Sequence, residues 1–365
     1  MDKSIKVLGV ETHYQTPSGE LRLSSVDWWR VINPLTEVAK KYPDIKVDFI
    51  KKVIKDGEKE SEVYENIGKK YDIIYSSYID TPKAYSWIKA VCDKYNMSYI
   101  MDMDDNIFDI DEMNPANLLY YKGSPSLRNA TIIIQDADYM VASTEHLANV
   151  LSRYRKRPVV LPNYINKEVY KYEDTDIEKH DGIYIGYQGS STHFNDFMKT
   201  GIMFALRRLL EEYDNVKFYT IGMAFDEMKK YLPENKFIIG NGERDHNKWV
   251  EKWKTIPIDI GVAPLIDTSF NRAKSSIKYY EYSLRKIPAV YSWVDPYLKV
   301  VKEHETGYLA QNEIEWYEKI KLLIEDEKNC QRIAQNARND VLDNYTIDKH
   351  VDKIYKFIKS VYERR

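Results

Sequence analysis

Three aspartates directly follow an apolar run in the stretch YIMDMDDNIFDI, residues 99–110. Asp102, Asp104 and Asp105 form an Asp-x-Asp-Asp pattern, and closely spaced carboxylates can coordinate a divalent metal beneath a diphosphate. They can also bind hydroxyl groups, act as a general base, or form a turn and helix cap. The pattern therefore indicates a candidate site and leaves its chemistry open.

A second charged group lies in NRAKSSIKYYEY, residues 271–282. Lys274 and Lys278 are four residues apart and Glu281 is three further on, so one helix face would present all three. Two cations near a helix start suit a diphosphate, and a carboxylate one turn later suits the hydroxyls of a ribose. The alternative is a solvent-exposed Lys/Glu face. Two polar residues just before them join the candidate group: Asn271 and Arg272.

Apolar strand-like runs alternate with helical stretches along most of the chain, which indicates parallel sheets covered on both faces by helices. The alternation is interrupted at residues 166–181, which are polar and have no clear period. We therefore predict two doubly wound α/β domains, residues 1–168 and 169–346. Helical sequence continues to the end of the chain.

Ligands of open parallel sheets bind at the carboxyl ends of the strands, so functional residues should directly follow strands. The aspartates meet this condition, because they end a predicted strand at 98–103. His13 also meets it, since it follows a predicted strand at 5–10. A single histidine is nevertheless more often structural than catalytic.

Composition limits the possible functions. The 365 residues are 43% hydrophobic and 30% charged, as in globular proteins, and a net charge of −3 weakens a role in binding nucleic-acid phosphates. Cys92 and Cys330 lie far apart, without metal or redox spacing, and we interpret them as reduced thiols of a cytoplasmic protein. The N-terminal apolar run is too short for a signal peptide, and no window reaches the ~18 apolar residues of a membrane span. Peripheral membrane contact stays open.

The stretch from Pro264 to Val290 has the pattern P-L-x(5)-N-x-x-K-x-x-x-K-x-x-E-Y-x-x-x-x-I-P-A-V. It resembles the donor-binding region of GT-B glycosyltransferases, especially the large retaining group called family 4. In those enzymes a glutamate just before a G-x-P-V-V strand holds the nucleotide ribose, and Glu281 occupies that place. Many members carry a second glutamate eight residues earlier, where this chain has Ala273, so the donor sugar and the way it is held stay open.

Weaker similarities cover most of the chain. DADYMVASTEHLANVL and VVLPNYIN resemble the family's exit from the first domain, and GYQGSSTHF resembles its Gly/Ser-rich loop near the donor phosphates. The resemblance implies donor contacts for Gly189, Ser190 and His193, and a close approach of Gly19 to the diphosphate. It implies acceptor contacts on the helix after the first strand, with these candidates: Arg22, Trp28 and Arg30.

The resemblance implies a GT-B fold, in which two Rossmann-like domains face each other across a cleft and a C-terminal helix, about 347–365, crosses back to the first domain. In relatives a His-Asp pair at the end of the fourth strand faces the reacting sugar. Asp104 and Asp105 stand in that place, and we interpret them, with His13, as the catalytic candidates. This favours sugar-facing carboxylates over a metal site.

The implied activity is glycosyl transfer from a nucleotide-diphosphate sugar, with UDP-sugars favoured, to a hydroxyl acceptor. The resemblance implies a retaining reaction that needs neither metal nor cofactor. The acceptor stays open among a saccharide, a protein, a lipid-linked sugar and a modified nucleic-acid base. Two alternatives remain: a sugar-nucleotide epimerase or hydrolase of the same fold, and a non-catalytic carbohydrate-binding relative.

Overall fold

Six parallel strands form the first sheet of the computed structural model, which describes residues 4–11, 13–15, 21–50, 59–172, 180–222 and 226–365. The spatial order is β4-β1-β5-β6-β7-β8, and β2 and β3 form a separate, short antiparallel pair. In chain order the strands are β1 Ile5–Val10, β2 His13–Gln15, β3 Leu21–Leu23, β4 Ile45–Ile50, β5 Ile73–Ser77, β6 Ser98–Met103, β7 Tyr139–Ala142 and β8 Val159–Val160.

Helices cover this sheet because its strands are apolar on both faces. Several of these helices begin with a serine or threonine cap such as Ser124 or Thr144, whose hydroxyl accepts a hydrogen bond from a backbone N–H of the first turn. The helices are α1 Ser25–Asp27, α2 Asn33–Lys41, α3 Glu60–Lys70, α4 Pro82–Tyr95, α5 Asn117–Tyr120, α6 Pro125–Asp136 and α7 Glu145–Leu151.

A π-helical turn, Trp28–Ile32, joins α1 to α2. Pro34 explains it: proline has no N–H for the carbonyl four residues back, and its ring crowds that carbonyl. The N–H of Asn33 bonds instead to the carbonyl of Trp28, five residues earlier. The wider turn carries Trp28, Trp29 and Arg30, so their directions differ from those on a regular helix.

The second sheet repeats the arrangement, with strand order β11-β10-β9-β12-β13-β14, all parallel. Its strands are β9 Ile183–Gln188, β10 Val216–Ile221, β11 Phe237–Gly240, β12 Ile260–Ala263, β13 Ala289–Ser292 and β14 Tyr308–Ala310. Its helices are α8 Phe194–Lys199, α9 Ile202–Glu212, α10 Asp226–Lys229, α11 His246–Thr255, α12 Ser269–Arg272, α13 Ile277–Leu284, α14 Glu313–Glu325 and α15 Glu327–Asn344. The predicted alternation of strands and helices is thus confirmed in both halves.

The chain passes between the two sheets twice, and the two passages lie side by side. The N–H of Ile165 bonds to the carbonyl of Tyr345 at 3.0 Å, and the N–H of Ile347 bonds to the carbonyl of Ile165 at 3.0 Å. After the second passage, α16 (Val351–Tyr362) packs against the core beneath the first sheet. The predicted return of the C-terminal helix to the first domain is confirmed.

One predicted helix was wrong at its start. A single helix from 274 to 286 would have carried both lysines, but α13 begins at Ile277 and Lys274 lies in the turn between α12 and α13. Ser275 and Ser276 occupy this turn, and serine favours caps and turns over helix interiors. The lysines therefore do not share a helix face, although both reach the same cavity.

Candidate functional site

Three adjoining cavities occupy the cleft between the carboxyl ends of the two sheets. The central cavity, about 260 Å³, is bounded by Trp29, Asp104, Asp105, Gln188, Lys278 and Glu281. The second-domain cavity, about 660 Å³, is bounded by Gln188, Gly189, Gly222, Arg244 and Trp249, with Arg22 from the first domain. The first-domain cavity, about 450 Å³, is bounded by Ser77, Met103, Asp105, Ile107 and Ile110, with Phe270 from the second domain. The central cavity shares lining residues with each of the others.

Glu281 lies in the wall of the central cavity and is only 3% exposed. Its carboxylate accepts hydrogen bonds from the Gln188 side-chain amide and from the hydroxyl of Tyr170, the latter at 3.3 Å. Burial raises the pKa of Glu281 to about 7, an effect that the nearby Lys278 opposes. The fold therefore brings the predicted carboxylate into the cleft wall and surrounds it with hydrogen-bond donors.

Lys278 and Lys274 both line the central cavity. The ammonium of Lys278 donates to the backbone carbonyl of Gln188 at 2.7 Å, and burial lowers its pKa to about 8. The ammonium of Lys274 lies 3.4 Å from Asp105 Oδ1, across the cleft. The two cations thus lie at the boundary of the domains, where they can meet an anionic ligand.

Asp104 and Asp105 follow β6 and line both the central and the first-domain cavities. Burial raises the pKa of Asp104 to about 7, and the negative charge of Asp105 adds to the effect. A carboxyl group with a pKa near neutrality can exchange a proton with a bound hydroxyl at physiological pH. Asp102, by contrast, is 1% exposed and lies inside β6, where it cannot reach either cavity.

His193 lines the central cavity from the loop after β9. Its Nδ1 lies 2.8 Å from Asp196 Oδ2, and burial lowers its pKa to about 4, so the ring is neutral at pH 7. A carboxylate only accepts hydrogen bonds, so Nδ1 carries the proton and Nε2 is left as an acceptor. Asp196 therefore fixes both the orientation and the tautomer of His193.

Close contacts between glycines shape the second-domain cavity. A Cβ on Gly242 would lie 2.8 Å from Gly222 Cα, and a Cβ on Gly222 would lie 2.9 Å from the carbonyl oxygen of Gly189. Gly222 also has a φ of 78°, in the left-handed region that favours glycine. The three loops that carry these glycines can therefore approach each other closely, because no side chain separates their backbones. Ser190, in the same cavity wall, has its hydroxyl 2.5 Å from that of Thr192.

His246 and Trp249, both on α11, line the central cavity and were missed by the sequence reasoning. His246 stacks on Trp28 with ring centroids 4.2 Å apart, and burial lowers its pKa to about 3. Its Nε2 is buried and has no hydrogen-bond partner among the residues that the structure describes. Gln188 was also missed, although its position at the end of β9 is a signal that could have identified it.

Four predicted binding residues do not line the three cavities. Trp28 packs against His246, and Arg272 forms an exposed ion pair with Asp267. Arg30 and Asn271 are buried within hydrogen-bond networks of the protein. Arg22 does reach the second-domain cavity. Gly19 lies outside the described residues, and His13 is described only as part of β2.

Among the described residues, no group of three or more His, Cys, Asp or Glu side chains is arranged to hold a metal ion. No described helix is both long enough and apolar enough to span a membrane.

Several solved structures are similar to this chain over nearly its whole length. Anabaena Alr3699/HepE, in complex with UDP and glucose, is 15% identical, with 98% of this chain and 100% of HepE covered and a TM-score of 0.64. Sucrose-phosphate synthase from Thermosynechococcus elongatus is 12% identical, with 99% and 100% covered and a TM-score of 0.66. A Listeria monocytogenes protein assigned as a UDP-N-acetylglucosamine 2-epimerase is 12% identical, with 99% and 98% covered and a TM-score of 0.52.

No protein-family model and no curated protein sequence matches the chain. At the identities of the similar structures, the likeness establishes the architecture alone. The chain has the GT-B fold, two Rossmann-like domains that face each other across a cleft with candidate residues on both walls.

Proposed function

We propose that this chain is a glycosyltransferase that moves a sugar from a nucleotide-diphosphate sugar, preferably a UDP-sugar, to a hydroxyl acceptor. One observation carries the proposal: a buried carboxylate, Glu281, and two lysines, Lys274 and Lys278, line one cavity at the carboxyl edge of the second sheet. Nucleotides bind at this edge in open α/β sheets. The carboxylate suits the ribose hydroxyls, and the ammonium groups suit the diphosphate.

The adjoining cavities extend this assignment. The second-domain cavity shares Gln188 and Trp249 with the central cavity, and we assign it to the base, with the ribose where the two cavities meet. His246 lines the central cavity, and its buried Nε2, which has no partner among the described residues, would form a hydrogen bond with the ligand. Asp104 and Asp105 would face the transferred sugar and the acceptor hydroxyl from the opposite wall. We propose retention of anomeric configuration and a reaction that proceeds in EDTA.

A donor screen tests the proposal. Nucleotide release is measured with UDP-, GDP- and TDP-sugars, with and without a mixture of acceptors, for the wild type and for Glu281→Ala. We expect release with at least one donor and a loss of tenfold or more in the variant, because ribose hydroxyl contacts contribute about 1–3 kcal/mol. Unchanged turnover in the variant would remove Glu281 from the donor site. Nucleotide release at a similar rate without any acceptor would favour the hydrolase alternative, and formation of an epimeric sugar nucleotide without nucleotide release would favour the epimerase alternative.

The affinity for UDP should depend on pH through Lys278. Burial lowers the pKa of Lys278 to about 8, so in the ligand-free protein this side chain loses its positive charge as the pH rises from 7 to 9. A bound diphosphate stabilises the protonated lysine, so binding takes up a proton and the Kd should rise about tenfold over this interval. Calorimetric titration with UDP at pH 7, 8 and 9 measures the change in Kd.

The control variant is Lys278→Arg, because arginine stays charged and should make the Kd nearly independent of pH. An equal rise of the Kd in the wild type and in Lys278→Arg would show that a group other than Lys278 causes the pH dependence.

A further inference from the structure

The first-domain cavity is largely apolar, unlike the central cavity beside it. Its wall contains Met103, Ile107, Ile110 and Phe270, all buried, and its charged groups gather at the end shared with the central cavity. At about 450 Å³, it has the size of a small-molecule site. A ligand lying in it would place one polar group beside Asp104 and Asp105 and an apolar body along the remaining wall.

An exposed apolar patch continues from this cavity over α5. Ala116 and Tyr120 line the cavity, and the residues around them point to solvent. In the segment 113–121 four apolar side chains are at least half exposed: Met113 at 65%, Leu118 at 82%, Leu119 at 58% and Tyr121 at 50%. Single exposed apolar residues are ordinary, but four in nine residues beside a cavity mouth indicate a contact surface.

The charge around the patch helps to choose its occupant. Asp109, Asp111 and Glu112 directly precede the patch. Asp111 accepts a hydrogen bond from the Asn195 amide at 2.8 Å, and its other carboxylate oxygen lies 3.8 Å from the Lys199 ammonium. Carboxylates at this position disfavour a polyanion such as nucleic acid. The continuity of apolar cavity and apolar rim instead fits one elongated molecule whose chain begins inside and leaves over α5.

We infer that the acceptor is an amphiphile: a hydroxyl-bearing head group beside Asp104 and Asp105, followed by an apolar chain that lies along Ile107 and Ile110 and leaves over Leu118 and Leu119. This inference rests on the proposed glycosyl transfer, because only then is the hydroxyl group an acceptor. The apolar chain supplies binding energy by leaving water, about fourfold in affinity for each buried methylene.

The test compares methyl, butyl and octyl β-D-glucopyranoside, all below their micelle concentrations, by ligand-observed NMR titration of the full chain without donor. The head group is constant, so its contribution cancels along the series. We expect the affinity to rise at least tenfold from butyl to octyl. Equal affinities along the series would overturn the inference.

Two double variants locate the chain on the surface. Leu118→Ser/Leu119→Ser should weaken octyl glucoside binding several-fold and leave butyl glucoside unchanged, because only the longer chain reaches α5. Phe204→Ser/Ile314→Ser is the matched control, since these residues are 61% and 66% exposed and lie on the second domain. Equal octyl affinities in both variants would overturn the exit over α5.

Failure of this inference can be told apart from failure of the proposed function. UDP binding without a chain-length effect would contradict the amphiphile alone. A chain-length effect without nucleotide binding would contradict the donor site and leave the apolar cavity in place.

Discussion

Replacing Arg30 by methionine is expected to lower the free energy of unfolding by about 3–5 kcal/mol, the usual cost of removing one partner of a buried ion pair. Arg30 is 2% exposed, and its guanidinium donates to Asp102 Oδ1 at 2.8 Å, Asn163 Oδ1 at 2.6 Å and the carbonyl of Leu161 at 2.8 Å. Methionine replaces the apolar stem of the arginine side chain and removes all three hydrogen bonds. Asp102 would remain buried, still accepting a hydrogen bond from the Tyr75 hydroxyl.

The decrease in the free energy of unfolding caused by Arg30→Met should become smaller as the pH falls. Burial raises the pKa of Asp102, and Arg30 opposes that rise. Without Arg30, the folded-state pKa lies still further above the unfolded one, so the folded protein binds the proton more tightly and its stability falls as pH rises above the unfolded value. Urea unfolding at pH 5 and pH 7.5, followed by tryptophan fluorescence, should therefore give the smaller difference from wild type at pH 5.

Two further variants control the Arg30 experiment. Arg207→Met removes an exposed i,i+4 pair with Glu211 and should cost no more than about 0.5 kcal/mol. Asp102→Asn in the Arg30→Met background removes the uncompensated charge and should recover part of the lost stability. A loss below 1 kcal/mol in Arg30→Met, together with a raised KM for an acceptor, would return Arg30 to the acceptor-binding role predicted from the sequence.

Lys278→Met is expected to lower kcat/KM for the nucleotide-sugar donor by about 10²–10³, the effect of removing one group that stabilises charge in a transition state. The leaving diphosphate gains negative charge as the glycosyl bond breaks, and Lys278 lies in the wall of the central cavity beside Glu281. Steady-state nucleotide release measures the effect. Lys328→Met, an exposed residue of α15, is the matched control and should keep full activity.

The lower kcat/KM of Lys278→Met should not result from unfolding of the variant. Burial already disfavours the charged form of Lys278, and Lys278 lowers the pKa of Glu281, so Glu281 can take up a proton once the cation is gone. The melting temperature should therefore stay equal to that of wild type or rise. Full turnover at saturating and at low donor concentration would contradict the assignment of Lys278 to the diphosphate.

The predicted residues that line the cleft share one property: they directly follow strands or lie in a helix after one. Asp104 and Asp105 follow β6, and Glu281 lies on α13 between β12 and β13. Strand periodicity is visible in the sequence, and parallel strands bring their carboxyl ends to one edge, so each group was expected at the carboxyl edge of its own sheet. That the two edges face each other was implied by the resemblance to GT-B enzymes and not by the strand pattern. Their individual roles in catalysis stay predictions.

The residues that sequence reasoning misplaced depend on tertiary contacts. Arg30 turns inward because Asp102 and Asn163, 72 and 133 residues away, offer it acceptors. Asn271 donates to Asp196, 75 residues away, and thereby supports His193 indirectly. His246 reaches the central cavity only because α11 packs beside Trp28. Local spacing carries no information on such partners, so it could not separate Lys274, Lys278 and Glu281, which line the central cavity, from Arg30 and Asn271, which do not.

The paired passages at Ile165 and Ile347 also decide how the cleft can move. A single connecting segment would let the two domains twist relative to each other as well as move apart. Two connecting segments that are hydrogen-bonded to each other restrict the twist and act as one hinge axis. We therefore expect any opening of the cleft to be a hinge rotation about the line through Ile165 and Thr346, which form a parallel bridge. Closure about this hinge would restore the pairing of Lys274 and Asp105, which lie 3.4 Å apart in the structure.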